Sequence, residues 1–424
     1  MGRLRSSPHS AGATIEAAEP LAPNAPSQQP PLPVSDPGPI PDGGLQAWLQ
    51  VLGSWVVLAA TWGLVNSFGV YQTYYETVLL SSASSSSISW IGSIQAFLLM
   101  FAGVVAGPLY DAGHFRLLLI CGLFLIIFGM FMTSLAWAYW QIVLAQGLCV
   151  GIGMAFCFLP STAILAQYFS TRRALAIGIS SSGSPIGGII FPIVLSSLTK
   201  SLSFGWATRV IAFMLLGLSV IPLVFMRTRV PPTGRKRALI DTAALRDPAF
   251  VLFVAASFFL FLCLYTAFFY LQLFDEKHEI SSLEFSPYIV TLLNTGSVFG
   301  RLLPNYLADK VGSVNICLAC GLMSAVLLYG WLGIHNLGGL VVFALLYGLS
   351  SGGIVSVTPS AVMTLTPDIS LVGTRLGMLF MLCGVSILLG TPIAGWILGR
   401  GFTIMQSFGQ KTSKGALAAQ TSSR

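Results

Sequence analysis

From residue 45 to about residue 399 the chain alternates apolar runs of roughly 20 residues with short polar breaks. Within each run the apolar positions are continuous instead of falling on every second residue, which predicts helices and excludes the strands of a closed barrel. Runs of this length match a hydrocarbon core about 30 Å thick, where every backbone group must pair internally. Helices are expected at about 45–70, 88–109, 116–137, 140–166, 174–199, 205–227, 250–273, 285–307, 314–334, 338–362 and 374–399. The fold class expected is therefore an all-α integral membrane protein of eleven spans. The Ser81–Ser87 tract reads as a short loop, and Asp42-Gly43-Gly44 as a turn before the first helix.

Composition supports this pattern. Hydrophobic residues make up 55% of the chain and charged residues 8%, against about a quarter charged in a soluble domain. The net charge of +7 would point to nucleic acid in a soluble protein. Here it follows from the bias of cytoplasmic loops toward Lys and Arg. The partners expected are thus the lipid bilayer and a small-molecule substrate, with no nucleic acid and no cofactor. With the N-terminus cytoplasmic, that side receives Arg3, Arg5, Arg116, Arg172, Arg173, Lys310 and Arg375, while the opposite loops receive Lys200, Arg209 and Lys277. A plasma-membrane protein with a cytoplasmic N-terminus is expected. The seven cysteines all fall in apolar runs. They read as small packing residues; Cys317 and Cys320 have CxxC spacing but no second pair to complete a metal site.

Five segments follow from these shifts. Residues 1–41 form a Pro- and Ser-rich tail expected to be disordered. Residues 42–227 form a six-helix bundle, 228–249 a basic linker with Arg229, Arg235, Lys236, Arg237 and Arg246, and 250–399 a bundle of five helices. Residues 400–424 form a polar tail, unstructured from 405 onward.

The two bundles repeat one another. The run Gly107-Pro-Leu-Tyr-Asp111-Ala-Gly113 after the second helix is answered by Asn305-Tyr-Leu-Ala-Asp309-Lys-Val-Gly312 after the eighth. Gly147 and Gly151, then Pro160-Ser161, recur as Gly348 and Gly352, then Pro359-Ser360. Arg173, Gly183 and Pro192 recur as Arg375, Gly384 and Pro392. The collinear spacing of about 200 residues is that of two homologous halves. The period places a partner of the sixth helix at about 405–427. Lys411 and Lys414 stand there instead, each costing about 2.5–3.5 kcal/mol at a helix centre. A twelfth helix is therefore expected to be lacking.

An aspartate in the loop after the second helix, repeated after the eighth, resembles the signature loop of the major facilitator superfamily. Two segments further resemble its monocarboxylate porter family, in the fungal-type branch: Asp42-Gly43-Gly44-xxx-Trp48, and Tyr168-Phe-Ser-Thr-Arg172-Arg173-Ala-Leu175 continued by Ser182-Gly183-Ser184-Pro185-Ile-Gly187. The resemblance covers about residues 42–400. It implies two pseudo-symmetric bundles of six and five helices that work by alternating access, with Asp42, Gly43, Asp111, Arg172, Arg173 and Asp309 as gating or signature-loop residues. Arg172 and Arg173 also suit plain anchoring to headgroups and topology determination. The glycines of the fourth, fifth, tenth and eleventh helices serve close packing, and the same smooth faces permit rocking.

Arg301, well along the eighth helix, is the clearest ionisable candidate inside a span. It matches the arginine by which the monocarboxylate family holds a substrate carboxylate, a task suited to a planar, permanently charged fork. The other reading has it reaching cytoplasmic loop carbonyls. The chain departs from that family in two places: no lysine precedes Lys200, and Ser297 stands where the family has an aspartate. With no Asp, Glu or His mid-span, proton coupling is not carried over. In this fold helices one, four, seven and ten line the cavity. The remaining substrate-binding candidates are Asn66, Tyr71, Tyr265, Tyr270 and Asn294, where aromatic residues also serve as interfacial belts.

The function expected is a secondary transporter of the monocarboxylate-porter type for a small organic acid or related metabolite. The alternative is an efflux carrier of a fungal secondary metabolite or a riboflavin-like compound. A transporter-like receptor or sensor ranks behind both. No catalytic motif such as HExxH or Gly-x-Ser-x-Gly occurs in the spans, so no enzyme is expected.

Overall fold

A computed structural model of the chain describes residues 40–101, 106–107, 109–110, 112–170, 173–229, 240–366 and 371–421. Eleven long helices account for most of these residues. We number them α1 Leu45–Leu79, α2 Ser85–Phe101, α3 Phe115–Leu135, α4 Tyr139–Gln167, α5 Leu175–Ser201, α6 Phe204–Phe225, α7 Pro248–His278, α8 Ser286–Val311, α9 Ser313–Trp331, α10 Leu337–Thr364 and α11 Val372–Thr421. Among the described residues nine are long and apolar enough to cross a membrane. The other two are α2, whose described helix is shorter, and α8, made more polar by Asn294, Thr295, Ser297 and Arg301.

Local chemistry sets several helix starts. Asp247 accepts the amide of Ala249 at 3.0 Å and Pro248 opens α7, where its missing N–H costs nothing. Asn336 caps α10 by accepting the Gly339 amide at 2.7 Å. Ahead of α1, Asp42 and Gly44 hold φ of 50° and 86°, a left-handed turn that glycine takes without steric cost. That turn points the Asp42 carboxylate at the α4–α5 connection, where it accepts from both Ser170 N and Ser170 Oγ at 2.5 Å.

Three expectations are corrected. The first helix was expected to end near 70, but α1 bends at Ser67 and continues as Phe68–Tyr74 and a π-helical turn to Leu79. α7 likewise runs past 273 to His278. The acidic residues Glu76, Asp275 and Glu276 therefore lie on helices, in the last turns of α1 and α7. Finally, residues 405–421 are helical, continuing α11 without a break to Thr421. The segment lacks proline after Pro392 and contains Gln, Lys, Leu and Ala, all compatible with helix. Nothing is described of the side chains beyond 397, or of residues 1–39.

The internal repeat is a repeat of packing. A Cβ on Gly147 would meet the Ile91 carbonyl of α2, and one on Gly151 would meet Gln95. In the second half a Cβ on Gly348 would meet the Leu293 carbonyl of α8, and one on Gly352 would meet Ser297. Gly296 and Gly300 answer from α8 against Leu345 and Leu349, so α8 and α10 touch backbone to backbone. This is the small-residue packing that lets membrane helices gain van der Waals contact without a hydrophobic driving force.

Three helix pairs join the halves. α2 meets α11 through the Ser93 and Thr391 hydroxyls and through Ser86 Oγ, which donates to the Pro392 carbonyl at 2.8 Å. α1 meets α7 where Gly69 abuts the Phe268 carbonyl and Phe68 tilts against Phe269 at 4.7 Å. α5 meets α8 at Gly188 and Asn294. Among the described residues no extended packing joins α4 to α10. Among the described residues the hydrogen-bonded ties between α2, α7 and α11 gather on the face where α1 ends, the closed face.

The connection between the halves is fastened at both described ends. Arg227 N donates to Gln50 Oε1 at 3.0 Å and Arg229 N to Gln167 Oε1 at 2.8 Å. At the other end Arg375 pairs with Asp241 at 3.0 Å and Asp247 at 3.8 Å, and also donates to the Leu365 carbonyl. Arg375 is therefore paired, not left to snorkel. Burial alone would raise the Asp241 carboxyl, but the Arg375 hydrogen bond and the amides of Ala243 and Ala244 outweigh it and hold it below the usual carboxylate range.

Two outcomes test this packing. Gly348→Val should lower the melting temperature and the monodisperse yield, since overpacking costs about 1–3 kcal/mol; an unchanged Tm would show that α8 and α10 are not in backbone contact. Because the folded-state value of Asp241 is depressed, its stabilisation is fully present above the ordinary carboxylate range and is lost only as pH falls through the lowered value. Asp241→Asn should accordingly lower Tm at pH 7, and that deficit should stay constant from pH 6 to 8.

Candidate functional site

Arg301 sits on α8 at the meeting of the halves, with only 7% of its surface exposed. It does not reach either face. Its Nη2 donates to Ser184 Oγ on α5 at 3.2 Å, and its Nε has no partner. Among the described residues no carboxylate pairs with it. A buried guanidinium matched by a single neutral hydroxyl is costly in a low-dielectric interior, and such a site favours an anion that would complete it.

Two of the expected residues gather around Arg301. Asn66, on α1, donates from Nδ2 to the same Ser184 Oγ at 3.2 Å. Tyr265, on α7, is buried and lies within electrostatic reach of the guanidinium. Its ring stacks on Trp62 with centroids 6.3 Å apart and planes 19° from parallel. Trp62 is one helical turn before Asn66 and also meets Phe158 of α4 edge-on at 5.8 Å. Asn294 lies two turns from Arg301 on α8, its Nδ2 held by the Val290 carbonyl at 3.0 Å. The opposite atom, Oδ1, faces Gly188 without a hydrogen-bond partner.

The other two expected tyrosines are placed elsewhere. Tyr71 turns into the first half, where it packs on Tyr75 and Phe204 at 6.1 and 6.0 Å. Tyr270 stands at the closed face, where its hydroxyl lies 3.3 Å from the Ser85 carbonyl and 3.2 Å from the Thr391 carbonyl. Near it a cavity of about 420 Å³ opens among Glu76, Ser85, Lys277 and Trp396. Glu76 and Lys277 span the halves there at 3.9 Å.

Of the gating candidates, Asp42 and Gly43 form the described turn at Ser170. Asp111 and Arg172 lie outside the described residues; Arg173 and Asp309 are described only as helical backbone. Ser297, where the monocarboxylate family has an aspartate, packs against Gly352. Two residues at the centre were not anticipated. Ser184 lay within the Ser182-Gly183-Ser184-Pro185 segment, read only for its resemblance. Trp62 was legible in principle as the aromatic one turn from Asn66.

Two helical halves meeting around a buried cation, closed on one face, define a membrane transporter. The sequence matches the Major Facilitator Superfamily over residues 44–391; the chain belongs to that superfamily. It is 44% identical over 357 residues to the MFS-type transporter dbaD of Emericella nidulans, covering 84% of this chain and 80% of that protein. It is 39% identical to the aspyridones efflux protein apdF of the same fungus, covering 87% and 76%. To the agnestins efflux protein AgnL12 of Paecilomyces divaricatus it is 37% identical, covering 83% and 81%. Two solved transporters share the fold. One is a bacterial homologue of the human lysosomal transporter Spinster, inward-facing and unoccupied (TM-score 0.62, 15% identity, 88% and 86% covered). The other is the nucleoside transporter NupG (TM-score 0.63, 14% identity, 85% and 98% covered). The relatives are fungal superfamily transporters, two of them named for metabolite efflux, so the narrower likeness to monocarboxylate porters is not what their names carry.

Tyr270→Phe removes a hydroxyl that bridges α2, α7 and α11 at the closed face. It should change how readily that face opens, measured as labelling of a cysteine introduced at the buried Ser89 of α2, while leaving half-saturation by substrate near wild type. A large rise in half-saturation with unchanged labelling would place Tyr270 in the binding site instead.

Proposed function

We propose that this chain is an efflux carrier that moves an acidic, flat aromatic secondary metabolite across the plasma membrane by alternating access, with its N-terminus cytoplasmic. The observation that carries the reading is Arg301, buried between the halves with an unpartnered Nε and no carboxylate beside it. An anionic oxygen of the substrate supplies what the guanidinium lacks. The stacked Trp62 and Tyr265 beside it give flat rings a surface on which to stack. The efflux proteins among the relatives favour export of a fungal product over uptake of a small monocarboxylate.

The site holds no proton carrier in this reading. Asp275 and Glu276 stand ten and eleven residues beyond Tyr265 on α7, roughly 15 Å further along the helix axis. The transport step therefore depends on pH through the ionisation of the substrate.

The test uses inside-out vesicles carrying the full chain, supplied with aromatic acids and their neutral counterparts. Acids should be taken up in preference, and Arg301→Lys should cut that uptake by about tenfold or more, because a point charge cannot reproduce a two-pronged contact. Equal uptake of acids and neutral analogues, or full activity in a correctly inserted Arg301→Lys chain, would remove Arg301 from the substrate site.

A further inference from the structure

Ser184 stands where α1, α5 and α8 meet, and it is fully buried. Its hydroxyl oxygen accepts Asn66 Nδ2 from α1 at 3.2 Å and Arg301 Nη2 from the other half at 3.2 Å. Such an oxygen has two lone pairs, so both are engaged by donors, one of them charged. The oxygen cannot swing away freely. Gly183 beside it is pressed on the Trp55 carbonyl, Gly187 one turn on is pressed on the Ala59 carbonyl, and Pro185 follows it in the chain. α1 and α5 therefore present the hydroxyl to α8 as one rigid unit.

For the guanidinium this is a weak arrangement. Charge-assisted bonds to an anionic oxygen are shorter and about twice as strong as those to neutral groups. The other hydrogen-bonded ties between the halves, Ser93 with Thr391, Ser86 with the Pro392 carbonyl and Tyr270 with the Ser85 carbonyl, involve no charged group and lie at α2 and the closed face. The Ser184–Arg301 tie is the one among them that an arriving anion competes for directly.

We propose that Ser184 is a stand-in ligand: it holds Arg301 while the site is empty, and the acidic group of the transported compound displaces it. Occupancy itself thereby breaks the α5–α8 tie and frees the halves to rock. Asn66 is a positioning residue that keeps Ser184 in place once Arg301 has left. This rests on the assignment of Arg301 to the substrate anion.

The experiment measures binding of 2,4-dihydroxybenzoate and neutral resorcinol to the purified full-length chain, with transport kinetics alongside. Ser184→Ala removes the competitor, so the acid should bind about tenfold more tightly, with resorcinol unchanged. Half-saturation of transport should fall with it while the maximal rate does not rise in proportion. Ser184→Thr keeps a hydroxyl and should restore wild-type values. Weaker acid binding in Ser184→Ala would make Ser184 a direct substrate ligand and overturn the proposal. Unchanged acid affinity together with a lower Tm would make it a packing residue and do the same. The two readings fail separately: acid binding that survives Arg301→Lys defeats the assignment of Arg301, whereas loss in Arg301→Lys without tightening in Ser184→Ala defeats only the displacement. No binding of either probe to the wild-type chain would count against both.

Discussion

A guanidinium with no counter-ion among the described residues, buried between two halves of a membrane protein, is the constraint around which the rest of this structure is arranged. Burying a charge costs several kcal/mol even after relaxation, and Arg301 recovers part of it from one hydroxyl. A charge at that position would be removed from a scaffold by any of the apolar residues that fit the space. Arg301 is left with an unsatisfied Nε at the seam between the halves. Asn66, Ser184 and the Trp62–Tyr265 stack are all ordered around that seam.

The seam exists because glycines bring the backbones close. Gly63 and Gly187 place α1 on α5, and the reciprocal glycines of α8 and α10 do the same within the second half. Each half is a rigid unit as a result, since contacts of backbone on backbone leave no side chain to rearrange. Between the halves α2 and α11 also pack along much of their length. Gly69 meets the Phe268 carbonyl and Gly188 meets Asn294, but the accompanying bonds are single hydroxyls on carbonyls or on one another. Two packed halves meeting along three helix pairs have the geometry in which one bundle can rock against the other.

Sequence reading reached the architecture because a membrane leaves few options: run length gives spans and collinear glycines give the repeat. Arg301 was legible for the same reason, as a charge in a run where charges are expensive. Ser184 was not, because a serine in a helix can satisfy itself on its own backbone and nothing local shows that a guanidinium 117 positions away will claim it. Tyr71 and Tyr270 were chosen from helix position alone, and the structure places both away from Arg301: Tyr71, past the bend of α1 at Ser67, packs on Tyr75 and Phe204, and Tyr270 stands five residues past Tyr265 toward the closed face. The end of α11 was misread because the cost of Lys411 and Lys414 argues against membrane burial, not against helix.

The placement of charge completes the physical picture. Within each half a carboxylate near the start of its first helix is tied to the connection or helix that opens its fifth. Asp42 grips Ser170 ahead of α5, and Asp241 and Asp247 grip Arg375 at the start of α11. These ties do not cross the seam, and the depressed Asp241 carboxyl keeps one of them ionised at neutral pH. Among the described residues the polar contacts across the seam are neutral apart from Ser184–Arg301 and the Glu76–Lys277 pair, which stands at 3.9 Å beside the open cavity. A neutral hydrogen bond contributes about 0.5–1.5 kcal/mol net, and a partly exposed ion pair no more than about 1 kcal/mol. The ion pairs of Arg375 stay inside one half, whereas Arg301, between the halves, is held by a hydroxyl alone.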